Sequence, residues 1–266
     1  MLKQELKIFF AALMFFSRIP CPKWVDHSPE YLNKATRYFP LIGWILGVFT
    51  FAFYFAANQI FNAEISVIIS MISGILITGA FHEDGFADVC DGFGGGWTKH
   101  QILEIMKDSR VGAYGVIGVI LIMLMKFYLL LQVVHTPISL VINTSFTLLI
   151  LFIAAHAISR LAAASIVFTH AYVREDLNSK SKPIAQDFSW KEVVGSSLFG
   201  LSPIIFLSFY QYQILYTIII VTATRYFLAR YFQKWIGGYT GDCLGATQQV
   251  CEVVFYLSAI GIWKFI

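Results

Sequence analysis

Long apolar runs separated by polar connections dominate the pattern of hydrophobic and polar positions along this chain. A helix that crosses a bilayer needs about 20 largely apolar residues, and seven runs approach this length. These runs lie at 39–61, 65–82, 111–134, 138–159, 193–210, 214–229 and 250–266. The pattern therefore predicts an all-α fold, a polytopic integral membrane bundle of about seven transmembrane helices that forms one domain over residues 1–266.

The first 38 residues contain a shorter apolar run, at 8–16, which is too short to cross a bilayer. This run is followed by Ser17-Arg18-Ile19-Pro20 rather than by the small-residue site at which a signal peptide is cleaved. We therefore predict that the segment 1–38 is retained and forms an interfacial or re-entrant region.

Composition supports a membrane protein and excludes two other classes. Apolar residues make up 58% of the chain and charged residues only 13%, whereas soluble domains carry roughly 45–50% and 25%. Disorder is excluded because 25 Phe, 13 Tyr and 6 Trp offer abundant surface to bury. A net charge of +3 is too small to indicate nucleic acid as a partner.

The connections between the apolar runs alternate in charge. Three of them, at 62–64, 135–137 and 211–213, carry no Lys or Arg. Of the 19 basic residues, all but Lys126, Arg225 and Lys264 lie in the segments on the other side, at 1–38, 83–110, 160–192 and 230–249. Because Lys and Arg collect in cytoplasmic loops, we expect that side and the N-terminus to be cytoplasmic and the C-terminus to lie outside.

Three aspartates at the end of the second apolar run form the first candidate site. Asp84, Asp88 and Asp91 are spaced by four and three residues, which places all three carboxylates on one face of a helix. No basic residue lies between them to offset their repulsion. The spacing indicates a Mg²⁺ site that leaves room for phosphate, with a solvated acidic helix end as the alternative.

A second cluster follows directly and combines acids with bases. Glu104 and Asp108 are four residues apart, whereas Lys107 and Arg110 lie three apart on a neighbouring face. Acids that bind a metal and bases that contact phosphate oxygens are what phosphoryl transfer requires. The alternative is an amphipathic interfacial helix stabilised by pairs of charges one turn apart.

The third cluster is a glycine-rich turn near the C-terminal end of the chain. Its Gly238, Thr240, Gly241 and Asp242 can offer backbone N–H groups to phosphate and one more carboxylate to a metal. The turn lacks the lysine of a P-loop, and a simple loop is the alternative. Further bases that we consider for substrate binding lie at or near span ends, where they can also anchor in the interface: Arg18, Arg37 and Arg160.

Taken in order, these clusters resemble the motifs of the cobalamin synthase family, also called adenosylcobinamide-GDP ribazoletransferases. The matching strings are His82-x-Asp84-Gly85-x-x-Asp88-x-x-Asp91-Gly92, Leu103-Glu104-Ile105-Met106-Lys107-Asp108-Ser109-Arg110-x-Gly112-x-Tyr114-Gly115 and Gly238-x-Thr240-Gly241-Asp242-x-Leu244-Gly245-Ala246. The resemblance runs along nearly the whole chain. Glu83 departs from the family pattern, in which an apolar residue stands between the His and the Asp.

The resemblance implies a multi-pass enzyme of the prokaryotic inner membrane whose active site faces the cytoplasm. It would join adenosylcobinamide-GDP to α-ribazole, or to α-ribazole 5′-phosphate, and release GMP with Mg²⁺ as cofactor. Asp84, Asp88 and Asp91 would hold the metal, while Lys107 and Arg110 would neutralise phosphate oxygens. We expect Asp91, or failing that Asp108, to accept the hydroxyl proton. The bilayer is the expected environment, and whether the chain forms a homo-oligomer is left open.

Two other functions stay open at this point. CDP-alcohol phosphotransferases also place aspartates at helical spacing beside a membrane, but their motif has Arg where this chain has Asp88. A cation-coupled transporter would place its acids near the middle of the bilayer, between broken helices. Here Lys126 and Arg225 are the charges expected inside spans, and neither has an acid in its own helix.

Overall fold

The computed structural model describes residues 2–22, 24–25, 29–136, 144–173 and 188–264. Within these ranges the chain forms eleven α-helices and no β-strand, as predicted. The helices are α1 (Leu2–Phe16), α2 (Pro29–Ala35), α3 (Phe39–Ala57), α4 (Ala63–Thr78), α5 (Phe81–Gly95), α6 (Lys99–Ile105), α7 (Ala113–His135), α8 (Thr144–Val167), α9 (Trp190–Ser208), α10 (Tyr216–Ile236) and α11 (Gly241–Trp263). Short 3₁₀ helices, Thr36–Tyr38 and Tyr212–Leu215, precede α3 and α10.

The longer helices run between two ends of one bundle. At the first, which we call the site end, Arg37 before α3 pairs with Glu192 in the first turn of α9, and Tyr172 after α8 bridges Tyr239 before α11. At the far end, Trp263 of α11 donates to Gln211 after α9. In the described part of the chain, helices α3, α4 and α7 to α11 therefore connect the two ends.

Five of these helices are long and apolar enough to cross a membrane, and α4 with α5 makes a sixth only if the bent pair is one span. The predicted run 193–210 does form α9, but this helix is not among the five because Lys191, Glu192 and several serines lower its hydropathy. The start of the predicted span 138–159, the last two positions of 250–266 and most of the connection after α8 lie outside the described residues.

The predicted span 65–82 is wrong at its end, where the chain turns through 88° between α4 and α5. Gly79 and Ala80 both adopt left-handed backbone conformations, with φ of 70° and 59°. The left-handed conformation favours glycine at position 79, where the Arg18 side chain packs directly against the backbone. Because of this bend, α5 leaves the direction of α4 and runs across the site end of the bundle.

Helix α8 is the most enclosed of the spanning helices. It approaches α3 closely because glycines face it: a methyl group on Gly43 would lie 2.4 Å from the His156 carbonyl oxygen, and one on Gly47 would lie 2.6 Å from the Ile153 Cα atom. Small residues at such crossings let the backbones of membrane helices pack together. This packing fixes the side chains of α8 that face the interior.

Lys126 has no acid in its own helix, but an acid of another helix pairs with it. Its Nζ atom lies 3.0 Å from the Glu252 Oε1 atom, and both side chains are almost completely buried. Glu252 stands within the predicted span 250–266, on a different helix from Lys126. His156 and Gln248 also contact the Glu252 carboxylate, at 3.4 and 2.6 Å. The pair therefore joins α7, α8 and α11 inside the bundle.

Candidate active site

A cavity of about 160 Å³ opens where the site-end termini of α1, α3, α5, α8 and α11 meet. We call it the outer cavity. Aromatic side chains form much of its wall, namely those of Phe15, Phe16, Phe39, Phe81, Tyr172 and Tyr239. Asp84 and Asp242 line it as well, so the cavity joins an apolar compartment to two carboxylates.

Two glycines let the acidic starts of α5 and α11 approach each other. A methyl group on Gly85 would lie 3.0 Å from the Asp242 Cα atom, and one on Gly245 would lie 3.2 Å from the His82 carbonyl oxygen. Close backbone approach of this kind is the recurrent use of glycine in packed helices. Asp84 and Asp242 therefore come from two helices, 158 positions apart in the sequence, to one cavity.

The turn before α11 is held rigidly beside the cavity. Thr240 caps α11 by accepting the Cys243 N–H at 3.3 Å, and it also donates to Asp242. Gly238 packs against the segment after α8, where a methyl group would lie 2.1 Å from the Ala171 carbonyl oxygen. These contacts fix the position of Asp242 at the start of its helix.

Two residues of the same turn line the cavity, one with a neutral aromatic ring and one with accessible backbone. Burial raises the pKa of Tyr239 to about 12, so its phenol stays neutral and forms part of the aromatic wall. A methyl group on Gly241 would meet no other atom of the described residues within 4 Å. The backbone at Gly241 is therefore open to a ligand.

Both carboxylate oxygens of Asp91 are engaged in hydrogen bonds within the fold. Its two carboxylate oxygens accept the N–H groups of Gly112 and Gly115, at 2.7 and 2.8 Å. Gly112 is the N-cap and Gly115 the third residue of α7. The N-cap itself makes no side-chain hydrogen bond to the start of this helix. Asp91 thus caps a neighbouring helix, and the positive end of the α7 dipole stabilises its charge. The glycines are needed because a methyl group on Gly115 would lie 2.3 Å from an Asp91 oxygen.

Replacing Asp91 by Asn is expected to destabilise the fold. An amide keeps one acceptor but turns its NH₂ group toward a backbone N–H, so we expect a loss of about 2–3 kcal/mol in the free energy of unfolding. Thermal unfolding in detergent, followed by circular dichroism, measures this change. Glu64→Gln removes an exposed carboxylate in the first turn of α4 and is the control. Equal midpoints for the two variants would contradict the capping role of Asp91.

The carboxylates of the three aspartates of α5 do not converge on one point in this structure. Asp84 is exposed, Asp88 is half-buried and Asp91 is buried, and seven residues of helix separate the first from the last by about 10 Å along the axis. In the described part of the chain, no three His, Cys, Asp or Glu side chains converge on a point that suits a metal ion. Mg²⁺, however, is bound through one or two carboxylates together with substrate phosphates. The pair Asp84 and Asp242 fits this requirement, with Asp88 one turn further along the same face.

The second cluster lies beyond the far end of α5, around α6 and the start of α7. Arg110 binds the Asp108 carboxylate with its side chain, at 2.6 Å, and with its backbone N–H. These bonds lower the pKa of Asp108 to about 2, which makes its carboxylate a poor proton acceptor near neutral pH. Glu104 pairs loosely with His100 at the surface, and Lys107 is exposed. None of these side chains lines the outer cavity.

The three arginines that we considered for substrate binding from the sequence lie in different parts of the structure. Arg37 is held between Glu5, at 3.0 Å, and Glu192, so two carboxylates already neutralise it. Arg18 packs on the bend between α4 and α5. Arg160 is fully buried, with its guanidinium 5.7 Å from the centre of the Phe39 ring. Arg160 therefore stands behind the aromatic wall of the outer cavity.

A second, inner chamber of about 40 Å³ lies deeper in the bundle and was not expected from the sequence. Lys126, Glu252, His156 and Arg160 line it. His82 lines both the inner chamber and the outer cavity, is 2% exposed, and has no hydrogen-bond partner for either ring nitrogen within the described residues. Acidic and basic residues inside apolar helices are the signal that could have revealed this chamber, because such residues are rarely placed there without a role.

Comparisons with known proteins support the family that the sequence motifs resemble. The family model described as cobalamin-5-phosphate synthase matches residues 8–260. A protein of Shewanella amazonensis named adenosylcobinamide-GDP ribazoletransferase is 43% identical over 262 residues, which cover 98% of each chain. Relatives with the same name from Shewanella piezotolerans and Shewanella frigidimarina are 44% and 42% identical over 96% and 97% of this chain, and 95% and 96% of theirs. No solved structure matches the chain. The protein therefore belongs to the cobalamin-5-phosphate synthase family and is a transferase of cobalamin synthesis.

Proposed function

We propose that the protein joins adenosylcobinamide-GDP to α-ribazole, or to α-ribazole 5′-phosphate, and releases GMP in a Mg²⁺-dependent reaction at the outer cavity. The observation that carries this proposal is the pair of carboxylates, Asp84 and Asp242, that line a cavity with aromatic walls. Phosphoryl transfer needs charge stabilisation around phosphate, and the aromatic wall suits an organic acceptor. Both requirements meet at this one place.

Asp84 and Asp242 would hold Mg²⁺, with Asp88 as a further carboxylate on the same face of α5. A bound Mg²⁺ would supply charge stabilisation for the phosphate oxygens during in-line displacement. Gly241 leaves its backbone open beside these carboxylates, so that a pyrophosphate could approach. The chain thus provides an open acidic rim rather than a closed cage of protein ligands.

In the transfer, a hydroxyl oxygen of the ribazole forms a bond to the phosphorus next to cobinamide, and the bond from that phosphorus to the oxygen of GMP breaks. The hydroxyl proton passes to a carboxylate. Asp91 and Asp108 are poorly suited to accept it, because one binds two backbone N–H groups and the other is held ionised by Arg110. The acceptor is therefore sought among Asp84, Asp88 and Asp242.

We place the outer cavity on the cytoplasmic side of a prokaryotic inner membrane, since most basic residues lie at the site end. Two variants with one added cysteine each test this orientation in a background that lacks the half-buried Cys21 and Cys90 and keeps the buried Cys243 and Cys251. A membrane-impermeant maleimide should label Gln59→Cys at the far end in intact cells. It should label Trp97→Cys, at an 81% exposed position, only after permeabilisation. The opposite labelling pattern would invert the orientation.

The reaction itself is tested with purified full-length protein in detergent or liposomes. GMP release from adenosylcobinamide-GDP should require α-ribazole or its 5′-phosphate, and excess chelator should abolish it. GMP release without a ribazole acceptor would indicate a hydrolase. Transfer from a CDP-alcohol to a lipid acceptor, without activity toward the GDP-corrinoid, would support a phospholipid enzyme instead. Cation flux into liposomes, without GMP release, would support a transporter.

A further inference from the structure

We infer that the outer cavity is the binding site for the aromatic base of the nucleoside acceptor, and that His82 supplies its single hydrogen bond. This inference rests on the proposed function, because it identifies the part of the substrate that enters the cavity. Two other groups of the substrates could enter the cavity, the guanine of the GDP group and the corrinoid ring. The test below distinguishes them from the base.

The shape of the cavity suits one flat, fused ring system. The Phe16 and Phe39 rings stack with their centres 4.0 Å apart, and Phe15 meets Phe81 edge to face at 5.7 Å. Aromatic walls of this kind favour a planar ligand through offset stacking and edge contacts. Pockets that hold drug-sized ligands enclose roughly 300–1,000 Å³, and about 160 Å³ is too small for a corrinoid. The volume of the cavity suits a single bicyclic base.

The polarity of the cavity distinguishes between the two bases of the reaction. Besides the two carboxylates and His82, its wall consists of six aromatic rings, two of which carry a hydroxyl group, of Ala164, Val167 and Leu244, of three glycines and of one further hydroxyl side chain, Thr36. Guanine carries several donors and acceptors on its edges, and a wall with so few polar groups would leave some of them unpaired, which is unfavourable. The benzimidazole of ribazole has only one free ring nitrogen. It therefore needs one hydrogen-bond donor and otherwise apolar contacts.

His82 provides that one donor. Its side chain is 2% exposed, it lines the cavity, and neither of its ring nitrogens has a partner within the described residues. A buried imidazole left in this state is unfavourable. Because both nitrogens are also closed off from the cavity space, the ring would turn toward the cavity to donate its N–H group to a ligand. Asp84 and Asp242 line the same cavity, and Asp84 is exposed. A base bound in this cavity would therefore bring its ribose near the carboxylates proposed to hold the metal.

The test compares two α-ribosides that differ in one atom. In the first, the base is dimethylbenzimidazole. In the second, it is the corresponding indole, in which a C–H group replaces the free ring nitrogen. Fluorescence or calorimetric titration of the purified protein, without GDP-corrinoid and without Mg²⁺, should show about tenfold tighter binding of the benzimidazole riboside. His82→Phe should remove this preference, and His82→Gln, which keeps a donor, should restore part of it.

A second pair of variants tests the aromatic wall. Phe16→Leu should weaken binding of both ribosides by about tenfold. Phe93→Leu is the matched control, because Phe93 packs against Phe232 and Tyr231 away from the cavity, and it should leave binding unchanged. In turnover assays, Phe16→Leu should raise the KM for α-ribazole and leave the KM for adenosylcobinamide-GDP near that of the wild type.

The inference and the proposed function fail in different ways. Riboside binding that depends on His82 and Phe16 without any GMP release would support the inference and contradict the function. GMP release with an unchanged preference in His82→Phe would overturn the inference alone. A rise in the KM for the GDP-corrinoid only, in Phe16→Leu, would assign the cavity to guanine or to the corrinoid.

Discussion

GMP release by the Asp84→Asn variant is expected to fall by on the order of 10²–10³-fold, while the folded protein accumulates normally. Asn keeps the shape of the side chain but removes the negative charge that would hold a divalent cation beside the phosphates. Asp84 is exposed, so the fold does not depend on it. Glu64→Gln, an exposed acid in the first turn of α4 at the far end, is the control and should retain full activity.

Asp242→Asn should show a similar loss of GMP release, and the fold losses from the two substitutions should not multiply in the double variant. If both carboxylates serve one ion, losing either already removes most of its effect, and the double variant should be at most about tenfold worse than each single variant. Such non-additivity is typical of residues that act as a unit. Near-normal turnover in either single variant, or losses that multiply in the double variant, would contradict a shared role.

Loss of the Glu252 charge is expected to cause the largest change in stability. Glu252→Gln preserves size but leaves Lys126 charged, buried and without its 3.0 Å partner. Removing one member of a buried ion pair costs about 3–5 kcal/mol, because the other charge stays desolvated. We expect little monodisperse protein in size-exclusion chromatography and a clearly lowered thermal midpoint in detergent.

The matched control removes both charges. In the double variant Lys126→Met, Glu252→Gln, no uncompensated lysine remains, so much of the lost stability should return. Recovery by Lys126→Met identifies unpaired charge as the cause of the defect. A double variant less stable than Glu252→Gln, or a Glu252→Gln variant as stable as the wild type, would show that the pair does not hold α7 to α11.

The helical framework could be predicted from the sequence because it depends on local patterns. Apolar runs and short polar connections place most of the helices, and the spacing of Asp84, Asp88 and Asp91 correctly predicts that all three lie on one helix. The bend before α5 could not be predicted, because it depends on a left-handed conformation at Ala80 as well as at Gly79. Alanine gives no sequence signal for that conformation.

The site was harder to predict because its members meet through tertiary packing. Periodicity places Asp91 on the same face as Asp84, but the N–H groups that Asp91 accepts belong to residues 21 and 24 positions later. Asp242 lines the same cavity as Asp84 because Gly85 and Gly245 let two helices cross closely. The aromatic wall draws on three helices and two connections, and Phe residues are too frequent in this chain to mark it.

The most direct test of the central claim is a titration of the purified protein with Mn²⁺, followed by electron paramagnetic resonance, in the presence of adenosylcobinamide-GDP. Mn²⁺ accepts the same carboxylate oxygens as Mg²⁺. If Asp84 and Asp242 hold the metal across the crossing of α5 and α11, the wild type and Asp91→Asn should bind Mn²⁺, whereas Asp84→Asn and Asp242→Asn should bind it at least tenfold more weakly. Wild-type affinity in Asp242→Asn, together with lost binding in Asp91→Asn, would contradict this assignment and return the metal to one face of α5.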